Sequence, residues 1–389
     1  MSRRVVIVGG GTMGSSAAYW LSREPFDGEI TVVERDPTYA RASSALSASS
    51  VRQQFSTPVN IAIGRFGFGF LKDADATLAV DGEAAAVGLH EEGYLFLAPP
   101  AGMPVLEANH RIQRAHAADV ELLTPAALTA RYPWMSAEGV AGASRGVSGE
   151  GWFDGYGLLR AFRRKAIAQG VRYVAGEAAG AEVRDGHVEA IRLADGTRLP
   201  CDVVVNTAGP WAGDVAAMLG VDLPVRPRAR SVFVIDGPEP LPGCPLVIDT
   251  SGVWMRPEGR YYITGISPPA ERDPDGAPLE VDHELFEELI WPALALRIPA
   301  LERLRVVGSW AGYYEYNTVD QNGLVGPHWA LDNALFANGF SGHGIQQSPA
   351  VGRGLAELVR HGRYVTLDLS PLGLERLRDG RPLIEQAVV

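Results

Sequence analysis

The sequence predicts an α/β (α+β) protein: a Rossmann-like nucleotide-binding domain built from discontinuous segments, joined to a second domain of mixed or antiparallel sheet. Three observations predict it. A strand–glycine turn–helix–strand unit opens the chain at Val5–Glu34. Two further strands run into glycine turns far downstream, at Val203–Pro210 and Phe336–Gly344. The stretches between them read as short strands and hairpins. With 389 residues, two cores in one chain is the natural expectation. The expected boundaries are 1–75, 145–222 and 305–389 for the nucleotide domain, and 76–144 and 223–304 for the second.

The elements follow in order. Val5-Val6-Ile7-Val8 is a continuous β-branched run followed at once by glycines, as in a buried parallel strand entering a tight turn. Ser15–Leu21 reads as a helix and Ile30–Val33 as the next strand, ending in Glu34. Residues 42–56 are rich in Ser and Ala without a period and read as a loop. Pro58–Lys72 has helical spacing in Ile61, Ile63, Phe66, Phe70 and Leu71. Gly93–Leu97 is a strand, Leu158–Gln169 a helix and Val171–Val174 a strand. Glu182–Leu193 is a hairpin about Asp185-Gly186. Strands are expected at Ser231–Ile235 and Arg260–Ile263, and a helix at Glu284–Leu296. A last helix starts near Pro349, a residue suited to a first helical turn.

Composition removes several functions. A net charge of −11 does not suit a nucleic-acid backbone. Cys201 and Cys244 belong to no CxxC or Cys/His cluster, so no metal site is expected. Met1-Ser2-Arg3-Arg4 runs straight into a strand with no secretion signal, and no apolar run approaches the roughly 20 residues of a membrane span. A cytoplasmic protein is expected, with peripheral membrane contact open. Lys72 and Lys165 are the only lysines, which leaves almost none for catalysis.

Gly9, Gly11 and Gly14 fit GxGxxG in its proper context of strand before and helix after. The first allows the turn, the second lets backbone approach a pyrophosphate, and the third packs helix on strand. The helix N-terminus adds N–H donors and positive dipole. Glu34, about 20 residues on, suits a ribose hydroxyl pair. The motif alone does not separate FAD from NAD. Three glycine junctions spread over the whole chain favour FAD, the longer ligand. Gly339-Phe340-Ser341-Gly342-His343-Gly344 before a helix would place backbone amides against the N1/C2-carbonyl edge of a reduced flavin. His343 reads as a packed histidine bonding the loop or cofactor rather than a catalytic one.

These residues resemble the D-amino acid oxidase-like (DAO) superfamily, in the branch of glycine oxidase, monomeric sarcosine oxidase and dimethylglycine dehydrogenase. The resemblance rests on Gly9–Gly14, Glu34-Arg35, Val51-Arg52 with Phe55, Ala208-Gly209-Pro210-Trp211 and Gly339–Gly344. Ser50–Ser56, Trp310–Gly323 and Asp368–Pro371 are similar to the FAD-dependent oxidoreductase domain-containing protein 1 subgroup. The resemblance implies FAD contacts from Gly9, Gly11, Thr12, Met13, Gly14, Glu34, Arg35, Ser43, Ser44, Ser50, Val51 and Ala178. It implies more from Ala208, Gly209, Trp211, Gly339, Gly342, His343, Gly344, Ile345 and Gln346. It also implies a small amine or amino-acid substrate that passes hydride to flavin N5, leaving an imine for water to hydrolyse.

By position, Arg52 matches the arginine that sarcosine oxidase uses for the substrate carboxylate, a task suited to a guanidinium fork. Phe55 stands where that enzyme has a tyrosine. Gln346 replaces a lysine that pairs with the counterpart of Arg52. Tyr314 falls at the flavin-linking cysteine, and Arg41–Ser50 lacks the linking histidine of dimethylglycine dehydrogenase, so FAD is expected to be non-covalent. No lysine lies near Tyr261–Thr264, where sarcosine oxidase keeps an oxygen-activating one. That favours a dehydrogenase passing electrons to a quinone or carrier protein over transfer to oxygen. The expected catalytic set is Arg52, Tyr314, Tyr316, Tyr262 and Gln346, with Tyr261, Tyr313 and Trp254 as aromatic walls and Arg256 as a second anchor. The subgroup's mitochondrial member is associated with assembly of a respiratory complex. A flavin-stabilised, non-catalytic assembly or scaffold protein therefore stays open as the alternative.

Overall fold

The computed structural model describes residues 3–386. Arg3–Val8 forms the middle of a six-stranded sheet. On one side lie Gly28–Glu34 and Arg172–Ala175; on the other lie Val203–Asn206, Ala334–Asn338 and Leu324–Pro327. All pairs are parallel except the last. Parallel strands are covered on both faces, which explains their unbroken Val/Ile runs. The helices Thr12–Ser22, Pro58–Lys72, Gly155–Ala168 and Gly344–His361 build the core on one face. Ala212–Met218 and the three-stranded sheet Ala178–Arg184, His187–Leu193, Arg198–Pro200 build the core on the other. Asp185 and Gly186 turn that hairpin with φ of 50° and 81°, the left-handed pair a two-residue turn needs.

The second sheet has eight strands, in the order Arg305–Asn317, Val225–Asp236, Tyr261–Gly265, Trp254–Glu258, Leu246–Ile248, Tyr94–Ala98, Gly142–Gly146, Val120–Leu123. It is antiparallel apart from one parallel pair, Leu246–Ile248 with Tyr94–Ala98. Arg305–Asn317, which the sequence reading gave to the nucleotide domain, is an edge strand of this sheet, paired along its length with Val225–Asp236. A strand of alternating small and aromatic residues carries no sign of which sheet it joins, because the partner is non-local.

The last helix starts at Gly344, not near Pro349, which lies inside it. Proline cannot donate to the carbonyl four residues back. Ser348 Oγ donates to that Ile345 carbonyl at 2.8 Å instead. The earlier start brings the helix N-terminus to the glycine loop at Gly339–His343.

Candidate cofactor and substrate site

Two cavities meet beyond the C-terminal ends of the parallel strands, where open α/β sheets bind ligands. One, of about 520 Å³, is walled by Gly9, Gly11, Glu34, Arg35, Ala178, Ala208, Gly209 and Trp211. The other, of about 160 Å³, is walled by Ser50, Arg52, Tyr314, Gly342, His343, Gly344, Ile345 and Gln346. Thr12, Met13, Ser43, Ser44 and Glu315 line both, so the two form one elongated path.

The glycine turn opens the first cavity. Gly9 has φ +101°, and a Cβ there would lie 2.4 Å from Thr207 O; a Cβ on Gly14 would lie 2.0 Å from Gly9 O. These two glycines press helix, turn and strand together, and Gly14 packs behind the cavity wall rather than in it. Gly11 differs: its nearest neighbour would be Ser44 Oγ at 3.5 Å. Its open face lets a ligand approach the backbone where Thr12–Ser22 begins. The Glu34 carboxylate accepts N–H bonds from Gly10 at 2.8 Å and Asp36 at 2.9 Å, and burial raises its pKa. The Arg35 guanidinium stacks 3.5 Å from the centroid of Trp211. A backbone cradle, a held carboxylate, two serines and a flat cation–indole pair fit a long dinucleotide.

Arg52 closes the second cavity. It is 2 % exposed, and its guanidinium carbon lies 4.5, 5.1 and 5.9 Å from the ring centroids of Phe55, Phe96 and Tyr94. Its backbone N–H donates to Gln346 Oε1 at 2.9 Å, and Nη2 lies 2.9 Å from His343 Nε2. Burial lowers the Arg52 pKa, with Tyr94, Glu385 and Glu150 opposing that fall. Burial, then the charge of Arg52, pushes His343 down to about 3. The imidazole is therefore neutral, and its Nε2 lies within hydrogen-bond distance of the guanidinium. Tyr314 lies against Gly342, where a Cβ would meet its ring at 2.5 Å. Val232, Leu246, Ile248, Trp254 and Ile266 give an apolar wall.

Some expected site residues lie elsewhere. Tyr262 lines neither cavity. It pairs with Ile235 on the core face of the eight-stranded sheet, and its hydroxyl accepts the Leu241 N–H at 3.0 Å. Period-two alternation sends it away from the site. Tyr316 packs on Arg228, whose guanidinium carbon is 3.9 Å from its ring centroid, and lines neither of these two cavities. Tyr261 lies beside Arg260, 4.4 Å from ring to guanidinium. Val51 is fully buried and pairs with Gly151. Gly339 turns the loop at φ +73° and donates its N–H to Glu315 Oε2 at 3.3 Å. Arg256 is engaged by the Ala48 and Pro257 carbonyls and by Glu258, which removes it as a second substrate anchor.

The sequence reading missed Glu315, Tyr94 and Arg230 as cavity walls. Arg230 is held by both oxygens of Asp273, at 2.6 and 3.0 Å. Burial pushes Glu315 up to about 8 from the usual 4.5, against the N–H bonds of Gly339 and Phe340. The available signal was a lone carboxylate inside the aromatic run Tyr313–Tyr316. Glu315 is protonated in the flavin-free folded chain between its two pKa values and ionised in the unfolded one. Stability contributed by that extra proton is present below the unfolded value and lost as pH rises toward 8. Thermal melting of flavin-free protein is expected to fall across this window, and Glu315→Gln to flatten the fall; an equally steep fall in the variant refutes the assignment.

Residues 4–358 match the model of the family described as FAD dependent oxidoreductase (DAO). The chain is 45 % identical to FAD-dependent oxidoreductase domain-containing protein 1 of Xenopus laevis, over 99 % of this chain and 84 % of that one. It is 26 % identical to mitochondrial dimethylglycine dehydrogenase of Homo sapiens, over 94 % of this chain and 44 % of that one. Among solved structures, L-proline dehydrogenase from P. horikoshii superposes with a TM-score of 0.85 at 24 % identity, covering 98 % of this chain and 99 % of that one. Glycine oxidase from Geobacillus kaustophilus gives 0.82 at 22 %, covering 96 % and 98 %. These likenesses agree with the mixed α/β fold expected from the sequence.

Proposed function

The chain belongs to the DAO family of FAD-dependent oxidoreductases, and from that premise we propose that it oxidises the C–N bond of a small amino acid or N-substituted amine to an imine. The single observation that carries this reading is Arg52. A buried guanidinium boxed by three rings, at the far end of the path from the nucleotide cradle, suits a substrate carboxylate. The flavin, when bound, supplies the two-electron chemistry. The chain's own residues bind and orient. Arg52, squared by His343 and Gln346, takes the carboxylate, and the apolar wall about Leu246 and Trp254 excludes water from the other end. The N-terminus of Gly344–His361 and the loop before it would offer amides and positive dipole to negative charge on a bound flavin. Named relatives that act on dimethylglycine, proline and glycine support the substrate class.

The test is an anaerobic visible spectrum during addition of glycine derivatives, N-methyl amino acids, D-amino acids and proline. Bleaching by one class is expected; a flavin that none of them bleaches overturns the reading. The same preparation examines the acceptor. Among the described residues neither lysine lines a cavity: Lys165 donates to Ala79 O at 2.7 Å, and Lys72 lies by Phe68. The charge of Arg230 is balanced by Asp273. Slow reoxidation by air and fast reoxidation by a quinone are expected of a dehydrogenase, and fast reoxidation by air is the opposite result.

FAD is held without a covalent bond in this reading. Both thiols are buried in the cores, Cys201 beneath the six-stranded sheet and Cys244 within the eight-stranded one. Tyr314 stands at the cavity instead. Acid precipitation is expected to release all the flavin into the supernatant; a yellow pellet would disprove this.

A further inference from the structure

Glu150 is 0 % exposed and lines neither cavity, yet its carboxylate accepts from four donors. Oε1 takes the N–H groups of Gln53 at 2.7 Å and Gln54 at 3.0 Å. Oε2 takes Gln54 Nε2 at 2.8 Å and the Tyr94 N–H at 3.2 Å. The chain is shaped around it. A Cβ on Gly146 would lie 1.9 Å from Glu150 Oε2, and one on Gly149 1.7 Å from Gln53 Nε2. One on Gly151 would lie 1.8 Å from His90 O. The run Gly146-Val147-Ser148-Gly149-Glu150-Gly151 thus makes room for one carboxylate and its donors.

What that carboxylate ties together is the box around Arg52. Gln53 and Gln54 follow Arg52 directly. Tyr94 heads the strand whose Tyr94 and Phe96 rings face the guanidinium. Gln346 holds the N–H of Arg52 itself, so three consecutive amides are fixed, two of them by Glu150. A carboxylate accepting several N–H bonds is satisfied as an ion and costly to lose, because its donors are left buried without a partner. Burial raises the Glu150 pKa against the pull of these donors and of Arg52, and its Oε1 faces the amides that follow Arg52.

We propose that Glu150 is a positioning residue of the substrate site, setting through Arg52 where the guanidinium meets a substrate carboxylate. This rests on the carboxylate-binding reading of Arg52. The test is a double-mutant cycle on the FAD-loaded full chain, using Arg52→Ala, Glu150→Gln and the pair. Benzoate is the probe, and its binding is read from the shift it causes in the flavin's visible spectrum. Glu150→Gln puts an amide NH2 against two donors, and is expected to weaken benzoate binding about tenfold when Arg52 is present. It should weaken binding no further when Arg52 is alanine, with equal FAD content in all four proteins. Equal weakening in both backgrounds, or none in either, overturns the proposal. Benzoate binding that is absent, or indifferent to Arg52→Ala, overturns the carboxylate reading itself and Glu150 with it. A failed cycle beside a strong Arg52→Ala effect overturns the role of Glu150 alone. If Glu150→Gln does not fold, Gln54→Leu takes its place in the same cycle, since it deletes one donor and leaves the carboxylate intact.

Discussion

Arg52→Ala is expected to keep its FAD and to lose about a hundredfold or more in kcat/KM toward carboxylate substrates, almost all of it in KM. Removing one partner of a buried, hydrogen-bonded charge pair costs about 2–5 kcal/mol, because the other charge is left desolvated without a partner. At about 1.4 kcal/mol per factor of ten, the middle of that range exceeds two powers of ten. Cofactor retention follows from geometry: the glycine turn, Glu34 and Trp211 line the larger cavity, and Arg52 does not. Two controls sharpen the result. Arg52→Lys is expected to recover only part of the loss, since an ammonium cannot offer a fork. Amines without a carboxylate should be turned over equally by both proteins. Unchanged kinetics toward amino acids would remove Arg52 from the site; a colourless preparation would show that it serves the cofactor instead.

The sequence made the nucleotide half legible and the substrate half only partly so, for physical reasons. The first strand, turn and helix are local: Val5–Val8, Gly9, Gly14 and Glu34 each state their task within about 30 residues of one βαβ unit. Pro58–Lys72 starts and stops where the pattern puts it, with proline at its first position. The substrate sheet is assembled from non-local pairs. Leu246 meets Tyr94, and Arg230 meets Gly312. No pattern along the chain reveals that pairing. Tyr262 shows the cost: one step along a strand moves a residue from cavity to core, and the tyrosines of Tyr261–Tyr262 and Tyr313–Tyr316 look equally suited from sequence. Glu150 shows the converse. Its glycine-flanked carboxylate is visible in the sequence as Gly149-Glu150-Gly151, but what it holds lies 56 and 96 residues away.

The second large effect is expected at Gly14, and Gly11 is its control. A Cβ on Gly14 would sit 2.0 Å from Gly9 O and 2.6 Å from Thr207 Oγ1. Neither atom can move freely. Gly9 forms the turn itself, and Thr207 Oγ1 is bound to the carbonyls of Val8 and Gly9. The helix cannot retreat either, since Ser16 is bonded to the Ser348 carbonyl and a Cβ on Gly352 would already lie 2.3 Å from Ser16 Oγ. Gly14→Ala must therefore pry helix from strand, which overpacking puts at about 1–3 kcal/mol or more. It is expected to purify without flavin and to melt well below the wild type. Gly11→Ala meets nothing in the protein closer than 3.5 Å, and its φ of −60° suits alanine. Its flavin-free form should melt within about 0.5 kcal/mol of the wild type. A ligand resting on that backbone would still collide with the new methyl, so FAD affinity should fall sharply. Titration of FAD into the two flavin-free variants, with melting beside it, separates a fault in packing from a fault in the cradle. Undiminished FAD binding by Gly11→Ala would mean that the cofactor does not lie against this turn.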